Sequence, residues 1–200
     1  PLPGASRNTG FLTPIYGSLG NLGTFIETPY YFNIDDNIDA TLSPMLTSDE
    51  GLVLKGELRH LTNRGSYYLF GSITRPDRID DFGNKINGHE TRGHIEGSGY
   101  FSIKDGWHAG FITKRSSDDT YLERYDFSDE DYLTTRLYVD KLWKKNYSIV
   151  EILSFQGLQQ DDDSDTTPLV FPNISGRFTK DYGNNTMKID YSGTSLTSSE

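Results

Sequence analysis

The sequence predicts an all-β chain, an antiparallel up-and-down meander of the kind that closes into a transmembrane barrel. The first observation is strict alternation. In one run Leu52, Leu54, Gly56 and Leu58 share a parity, and Val53, Lys55, Glu57 and Arg59 take the other. In the run before it Ile38, Ala40, Leu42 and Leu46 alternate with Asp39, Thr41, Ser43 and Thr47. Period two over such lengths means strands with one apolar and one wet face. The second observation is length. These runs hold about ten residues, beyond the usual five or six and near the span of a tilted transmembrane strand. The third is the connections, which alternate between tight turns and long polar segments, as barrel turns and external loops do.

Composition agrees with this class. No run reaches about 18 apolar residues, so no transmembrane helix is expected. A barrel strand gives only every second residue to lipid and keeps its average hydropathy low. The 13 Tyr and 11 Phe among 200 residues suit strands and interfacial girdles. A net charge of −10 argues against a nucleic-acid partner, whose affinity rests on Lys and Arg at phosphates. The absence of Cys excludes a disulfide frame, a thiolate nucleophile and a Cys-based zinc site. The small, proline-containing opening and the polar close read as the ends of a fragment, with residues 1–9 a linker.

In order, residues 11–18 form a strand holding Pro14, and residues 24–34 a strand holding Pro29. Asp35-Asp36-Asn37 turns into the strand 38–47, and the strand 52–62 follows. Asn63-Arg64-Gly65 is a hairpin turn into 66–75. Residues 76–91 form a long polar loop, and 92–104 a strand with Gly93, Ile95, Gly97 and Gly99 on one face. Asp105-Gly106 turns into 107–115. Residues 116–132 form a long acidic loop in which 126–132 has room for one helical turn. Strands at 133–142 and 146–156 flank Trp143-Lys144-Lys145, and 157–168 is a third long loop. Strands at 170–180 and 186–193 flank a last tight turn. The three long loops are expected at one end of the sheet, opposite Asn63-Arg64-Gly65.

At this point the residues match a family. Thr9-Gly10-Phe11-Leu12-Thr13-Pro14, Thr28-Pro29-Tyr30-Tyr31-Phe32-Asn33-Ile34, Asn37-Ile38-Asp39-Ala40-Thr41-Leu42-Ser43-Pro44, Gly51 and Glu57-Leu58-Arg59-His60-Leu61 closely resemble the LptD family, the lipopolysaccharide-assembly or organic solvent tolerance proteins. Phe32 stands where the family pattern has Trp, and His60 where it has Tyr, both aromatic exchanges. A looser likeness runs through residues 121–127.

The resemblance implies a fold and a role. Residues 10–200 would be the first strands of a very large outer-membrane barrel of a Gram-negative bacterium. A periplasmic jelly-roll would precede them and link to the periplasmic Lpt bridge, and a plug similar to the lipoprotein LptE would sit inside. Lipopolysaccharide would be the cargo, its lipid A leaving sideways into outer-membrane lipid and its sugars passing through the lumen. The resemblance places the lateral gate at the strand prolines, here Pro14 and Pro29. Proline lacks the amide hydrogen a ladder needs, so these two mark a weak seam. The wet faces offer Lys55, Glu57, Arg59, Arg92 and Glu96 as lumen-facing groups.

No catalytic constellation, cofactor or metal site is expected. His60, His89, His94 and His108 are scattered singly, although His94 and His108 could meet across the Asp105-Gly106 hairpin beside Glu96. No His-Glu-x-x-His spacing, Gly-x-Ser-x-Gly elbow or P-loop occurs. Asp161-Asp162-Asp163-Ser164-Asp165 lacks the Gly and Glu of an EF-hand loop and reads as a solvated loop tip. Two other readings remain: a soluble carbohydrate-binding β-sandwich with sugar-stacking aromatics, and an outer-membrane barrel enzyme such as a lipase, which needs a Ser–His pair on neighbouring strands.

Overall fold

Alternation of apolar and polar residues over ten or more positions leaves the chain one economical solution, a sheet with two unlike faces. The computed structural model describes residues 7–79, 85–159 and 169–197. Fifteen strands and one helical turn make it up. They are β1 (Gly10–Phe11), β2 (Ile15–Leu19), β3 (Gly23–Glu27), β4 (Tyr30–Asp35), β5 (Ile38–Thr47), β6 (Gly51–Thr62) and β7 (Gly65–Thr74). Then come β8 (Asp77–Ile79), β9 (Lys85–His89), β10 (Arg92–Ser102), β11 (Trp107–Ser116) and α1 (Tyr121–Arg124). The last are β12 (Tyr132–Trp143), β13 (Asn146–Gly157), β14 (Leu169–Tyr182) and β15 (Asn185–Thr197). Thirteen strands join one sheet, with β5 to β7 and β10 to β15 following in chain order. The all-β antiparallel meander expected from the sequence is what the chain forms.

The chain divides into two compact units. The first takes residues up to Leu61, Tyr68–Glu96 and Ser116–Asp129, and the second takes the remainder. In the first, β5 pairs with β6 so that Ile38, Ala40, Leu42, Pro44 and Leu46 stand opposite His60, Leu58, Gly56, Leu54 and Leu52. Asp39, Thr41, Ser43 and Met45 stand opposite Arg59, Glu57, Lys55 and Val53 on the other face. Leu52, Leu54 and Leu58 thus face away from Lys55, Glu57 and Arg59, as the alternation requires. Leu42, Leu46, Leu52, Ile73 and Ile95 are all exposed, so the described residues leave the apolar face largely uncovered. The small core lies elsewhere, and Leu22, Met45, Val53, Tyr121, Leu122 and Tyr125 are buried in it.

Four expectations need correction. The strand expected over 11–18 is two strands, β1 and β2, and the one over 24–34 is β3 and β4. The loop expected over 76–91 carries a hairpin of its own, β8 with β9. The loop over 116–132 carries its helical turn at Tyr121–Arg124, earlier than expected, with Tyr121 and Leu122 buried. The acidic run 161–165 lies outside the described residues.

In the second unit β12, β13, β14 and β15 hold 12 to 14 residues each. Asp105 and Gly106 both have positive φ, +55° and +79°, which makes the β10–β11 connection the mirror-image turn that matches strand twist. Aromatic rings cover glycines here. A Cβ on Gly110 would lie 2.3 Å from the Tyr138 ring, and one on Gly176 would lie 2.2 Å from the Tyr191 hydroxyl. Pro172, inside β14, sits where the registers with β13 and β15 both slip, the place a sheet tolerates proline.

Candidate functional site: a proline-broken edge and a polar face

Pro14 lies between β1 and β2, and Pro29 between β3 and β4. Neither is inside a strand; each immediately precedes the start of one. The pairing explains why. β4 and β3 lie end to end along the same strand, β5, with Tyr30 opposite Leu42 and Glu27 opposite Met45. β1 and β2 continue the pattern outward, Phe11 opposite Tyr30 and Ile15 opposite Glu27. The gaps therefore fall at one level across the sheet. Pro44 of β5 falls at that level too, because the Leu42–Met45 step spans it. Three neighbouring rows each lose a backbone donor at the same height. The seam includes a third proline, which sequence reading had placed in an ordinary strand. Two bonds still cross the level: the Leu12 amide donates to the Pro29 carbonyl at 2.9 Å and the Thr28 amide to the Pro44 carbonyl at 3.1 Å.

Charged groups on the polar face tie this edge down. The Lys55 ammonium donates to Glu27 at 2.6 Å, with only 18% and 11% of the two side chains exposed. The bridge reaches over β5, from β6 to β3. Arg59 donates to Asp39 at 2.7 Å and lies 3.3 Å from Glu57. Arg7 reaches the other oxygen of Asp39 at 3.3 Å. Of the expected lumen groups, Lys55, Glu57 and Arg59 therefore sit together behind the broken strands.

Arg92 does something different. It clasps Asp118 with two nitrogens, the Nε bond being 2.9 Å, and donates to Thr120 at 2.7 Å. These contacts fold the segment 117–127 over the polar face. The Tyr121 hydroxyl bonds the Ser72 hydroxyl at 2.6 Å, and the same Ser72 bonds His94 Nδ1 at 2.8 Å. Phe127 packs 4.4 Å from the His94 ring and 6.0 Å from Phe70. Arg124 and the Tyr125 hydroxyl both donate to Glu50, the latter at 3.0 Å. Burial alone would raise the Asp118 carboxyl, but the bonds from Arg92 and Ser117 outweigh it and hold it below the ordinary aspartate value. Burial pushes the Tyr121 phenol up. It pushes Tyr125 up as well, and Glu50 adds to that shift. Glu96, two residues beyond His94, shares the parity of Arg92 and His94 and so lies on the polar face.

His94 and His108 have separate partners: His94 bonds Ser72, whereas His108 bonds Asp140 at 3.1 Å under the Tyr100 ring. Among the described residues no group of three His, Cys, Asp or Glu is placed to hold a metal ion. The second unit carries a polar chain that the sequence did not reveal. Arg136 donates to Glu151 at 2.5 Å, Asn173 donates to the other Glu151 oxygen at 2.7 Å, and Thr194 donates to Asn173 at 2.7 Å. The chain crosses β12, β13, β14 and β15.

A sheet with one bare apolar face, one polar face and a proline-broken edge suits a wall between lipid and water. Comparison with known proteins decides the family. The family model described as LptD, LPS transport system D, matches residues 90–200. The chain belongs to the LptD family. An LPS-assembly protein LptD of Pasteurella multocida is 32% identical over 123 residues, 62% of this chain and 15% of that protein. One of Idiomarina loihiensis is 46% identical over 66 residues, 32% of this chain and 9% of that protein. One of Pseudoalteromonas translucida is 29% identical over 187 residues, 84% of this chain and 24% of that protein. The chain thus spans about a quarter or less of the length of these LptD relatives.

Proposed function

We propose that this chain is part of the wall of an outer-membrane barrel that delivers lipopolysaccharide to the outer leaflet, with lipid A leaving at the proline-broken edge. The observation that carries the reading is the line of Pro14, Pro29 and Pro44 at one level of the edge. In hydrocarbon a backbone group without a partner costs several kcal/mol, so a wall tolerates such a line only where it is shielded or meant to part. The apolar face of Leu42, Leu52, Ile73 and Ile95 would meet lipid. The polar face, with Lys55, Glu57, Arg59, Arg92 and Glu96, would border the hydrated lumen through which the sugars pass.

Family membership supports the cargo, because the relatives carry the name LPS-assembly protein. It also supports the partners: an LptE-like lipoprotein plug, and the periplasmic Lpt bridge reached through a preceding jelly-roll. No enzymatic step is proposed. Lys55 and Glu27 would hold β3 while β1 and β2 part from the barrel's last strand.

The test uses the protein as the cell makes it. One cysteine is introduced into β1 and one into the facing last strand. Residues 1–200 carry no Cys of their own. A complete disulfide is expected to stop lipopolysaccharide reaching the cell surface, and a reductant to restore it. Unchanged delivery with the cross-link complete refutes an exit there.

A further inference from the structure

We propose a lipid subsite on the apolar face: a groove beside the proline seam that holds one acyl chain of lipid A as lipopolysaccharide enters the outer leaflet. The inference rests on the delivery reading above and names a place that this reading does not require.

The groove has a structural origin. Ala40, Gly56 and Gly71 are small residues on three successive strands. A Cβ at Gly56 would meet nothing within 4 Å, so the space over it is open. Phe32, Leu69 and Ile95 line the sides of a trough of about 550 Å³. Its exposed lining is almost wholly apolar, because the polar residues of these strands point to the other face. A second hollow of about 650 Å³ shares Leu54 and Ile73 with it, so the two form one track along β6 and β7. The second hollow is rimmed by Asp49, Arg75, Asp77 and His89. One track therefore runs from an apolar trough to a charged mouth.

Direction and position select the occupant. The mouth lies at the end where residues 48–50, 75–77 and 89–91 meet the strands, the external end in the delivery reading. A lipid of the outer leaflet keeps its head at that end and its chains below, the polarity the track has. The trough also adjoins the seam. Cross-strand partners run Phe11, Tyr30, Leu42 and Gly56 from the outermost strand to the trough floor. Three strand spacings of about 4.8 Å separate them, or roughly 14 Å. Phe11 packs edge-on against Tyr30, and Tyr30 packs at a tilt against Phe32, with neighbouring ring centroids 4.8 Å apart. An amphiphile leaving at the seam meets this ridge first and the trough immediately after. Ordinary membrane lipid has no reason to prefer the trough over any other part of the wall, and the experiment makes that difference its readout.

The photo-reactive residue benzoylphenylalanine is placed at Ile73, in the track, and separately at Leu137 of β12. Both positions are exposed, 52% and 48%, so general contact with lipid is matched. Cells are irradiated and adducts of the assembled protein are separated into lipopolysaccharide and phospholipid. The expected result is about tenfold more lipopolysaccharide adduct at Ile73 than at Leu137, the ratio that a preference of about 1.4 kcal/mol produces. Gly56→Trp, which fills the trough, should bring Ile73 down to the Leu137 level. Equal lipopolysaccharide capture at the two positions, or phospholipid alone at Ile73, overturns the subsite. The Ile73 and Leu137 comparison decides the matter even if Gly56→Trp fails to assemble. The disulfide experiment separates the two readings. A locked seam that stops delivery, together with phospholipid alone at Ile73, sinks the groove and leaves the exit standing. Tenfold capture at Ile73 with delivery unchanged by the locked seam sinks the exit and leaves the groove.

Discussion

The first four strands and the last four start from the same alternating pattern and end differently. β1 to β4 hold two, five, five and six residues, whereas β12 to β15 hold 12 to 14. Both regions contain proline. In β14 Pro172 is absorbed by register shifts on both sides. At the edge the prolines line up, and no bulge in one strand compensates for a donor missing at the same height in the next. The lesson is that proline count matters less than proline alignment. Cohesion then comes from different sources. The last strands rely on long ladders, broken only by the slips beside Pro172, and on a polar chain, and the edge relies on a few half-buried ions.

That contrast yields its largest expected effect at Lys55. Lys55→Ala leaves the Glu27 carboxylate in a largely covered place without its partner. Breaking a fully buried pair costs ~3–5 kcal/mol; with some exposure remaining, about 2–3 kcal/mol is expected. Arg177→Ala breaks an open pair between β14 and β15 and should leave stability unchanged. Urea unfolding of the detergent-solubilised protein compares them, and equal midpoints would break the contrast. Next comes Gly65→Ala. A Cβ there would lie 1.9 Å from the Tyr100 carbonyl oxygen, a backbone atom with little freedom to yield. About 2 kcal/mol of destabilisation is expected, the middle of the overpacking range. Gly56→Ala, with open space around it, should be neutral in the same assay.

The folded segment 117–127 gives a pH dependence. The Asp118 pKa is depressed, so its contribution is complete above the ordinary value of about 3.9 and is lost as pH falls through the lower folded value. The Tyr121 and Tyr125 pKa values are raised, so their contribution is complete below about 10 and is lost as pH rises through the folded values. Amide exchange over 117–127 should therefore quicken below about pH 4 and above about pH 10. Asp118→Asn should weaken the segment's hold at neutral pH and remove the acid limb. An unchanged acid limb in that variant would show that Asp118 does not hold the segment. The smallest effect is at Pro29→Val, which returns one donor to the edge. Amides of β3 and β4 should gain about 1 kcal/mol of exchange protection, the net worth of one hydrogen bond. No gain would mean that the edge is loose for a reason other than its prolines.

Much of this was legible in residue types. The two faces of β5 and β6 follow from alternation, because a one-residue slip would put Lys55 and Leu54 on the wrong sides. The turn at Asp105-Gly106 is written in residues that accept positive φ. The splitting of the first strands was half legible. Pro14 and Pro29 were visible as weak points, but their common level with Pro44 depends on cross-strand register, which no local pattern encodes. The turn at Tyr121–Arg124 is too short to show helical period and exists because Tyr121, Tyr125 and Phe127 find Ser72, Glu50 and His94, partners 33 to 75 residues away. The polar chain was illegible for the same reason. Arg136, Glu151, Asn173 and Thr194 each look like an ordinary wet-face residue.

That polar chain also sets the count of the sheet. Alternation forbids slips of one residue but is blind to slips of two, which return every side chain to its own face. The links from Arg136 through Glu151 and Asn173 to Thr194 exist at one offset only. A two-residue slide at the β13–β14 interface would take Glu151 from Asn173 and set it opposite Phe171 or Ser175. The faces are thus chosen by hydrophobicity and the offset by hydrogen bonds. Since strand offset fixes the tilt at which a sheet closes, four polar side chains set the geometry with which this wall meets its neighbours.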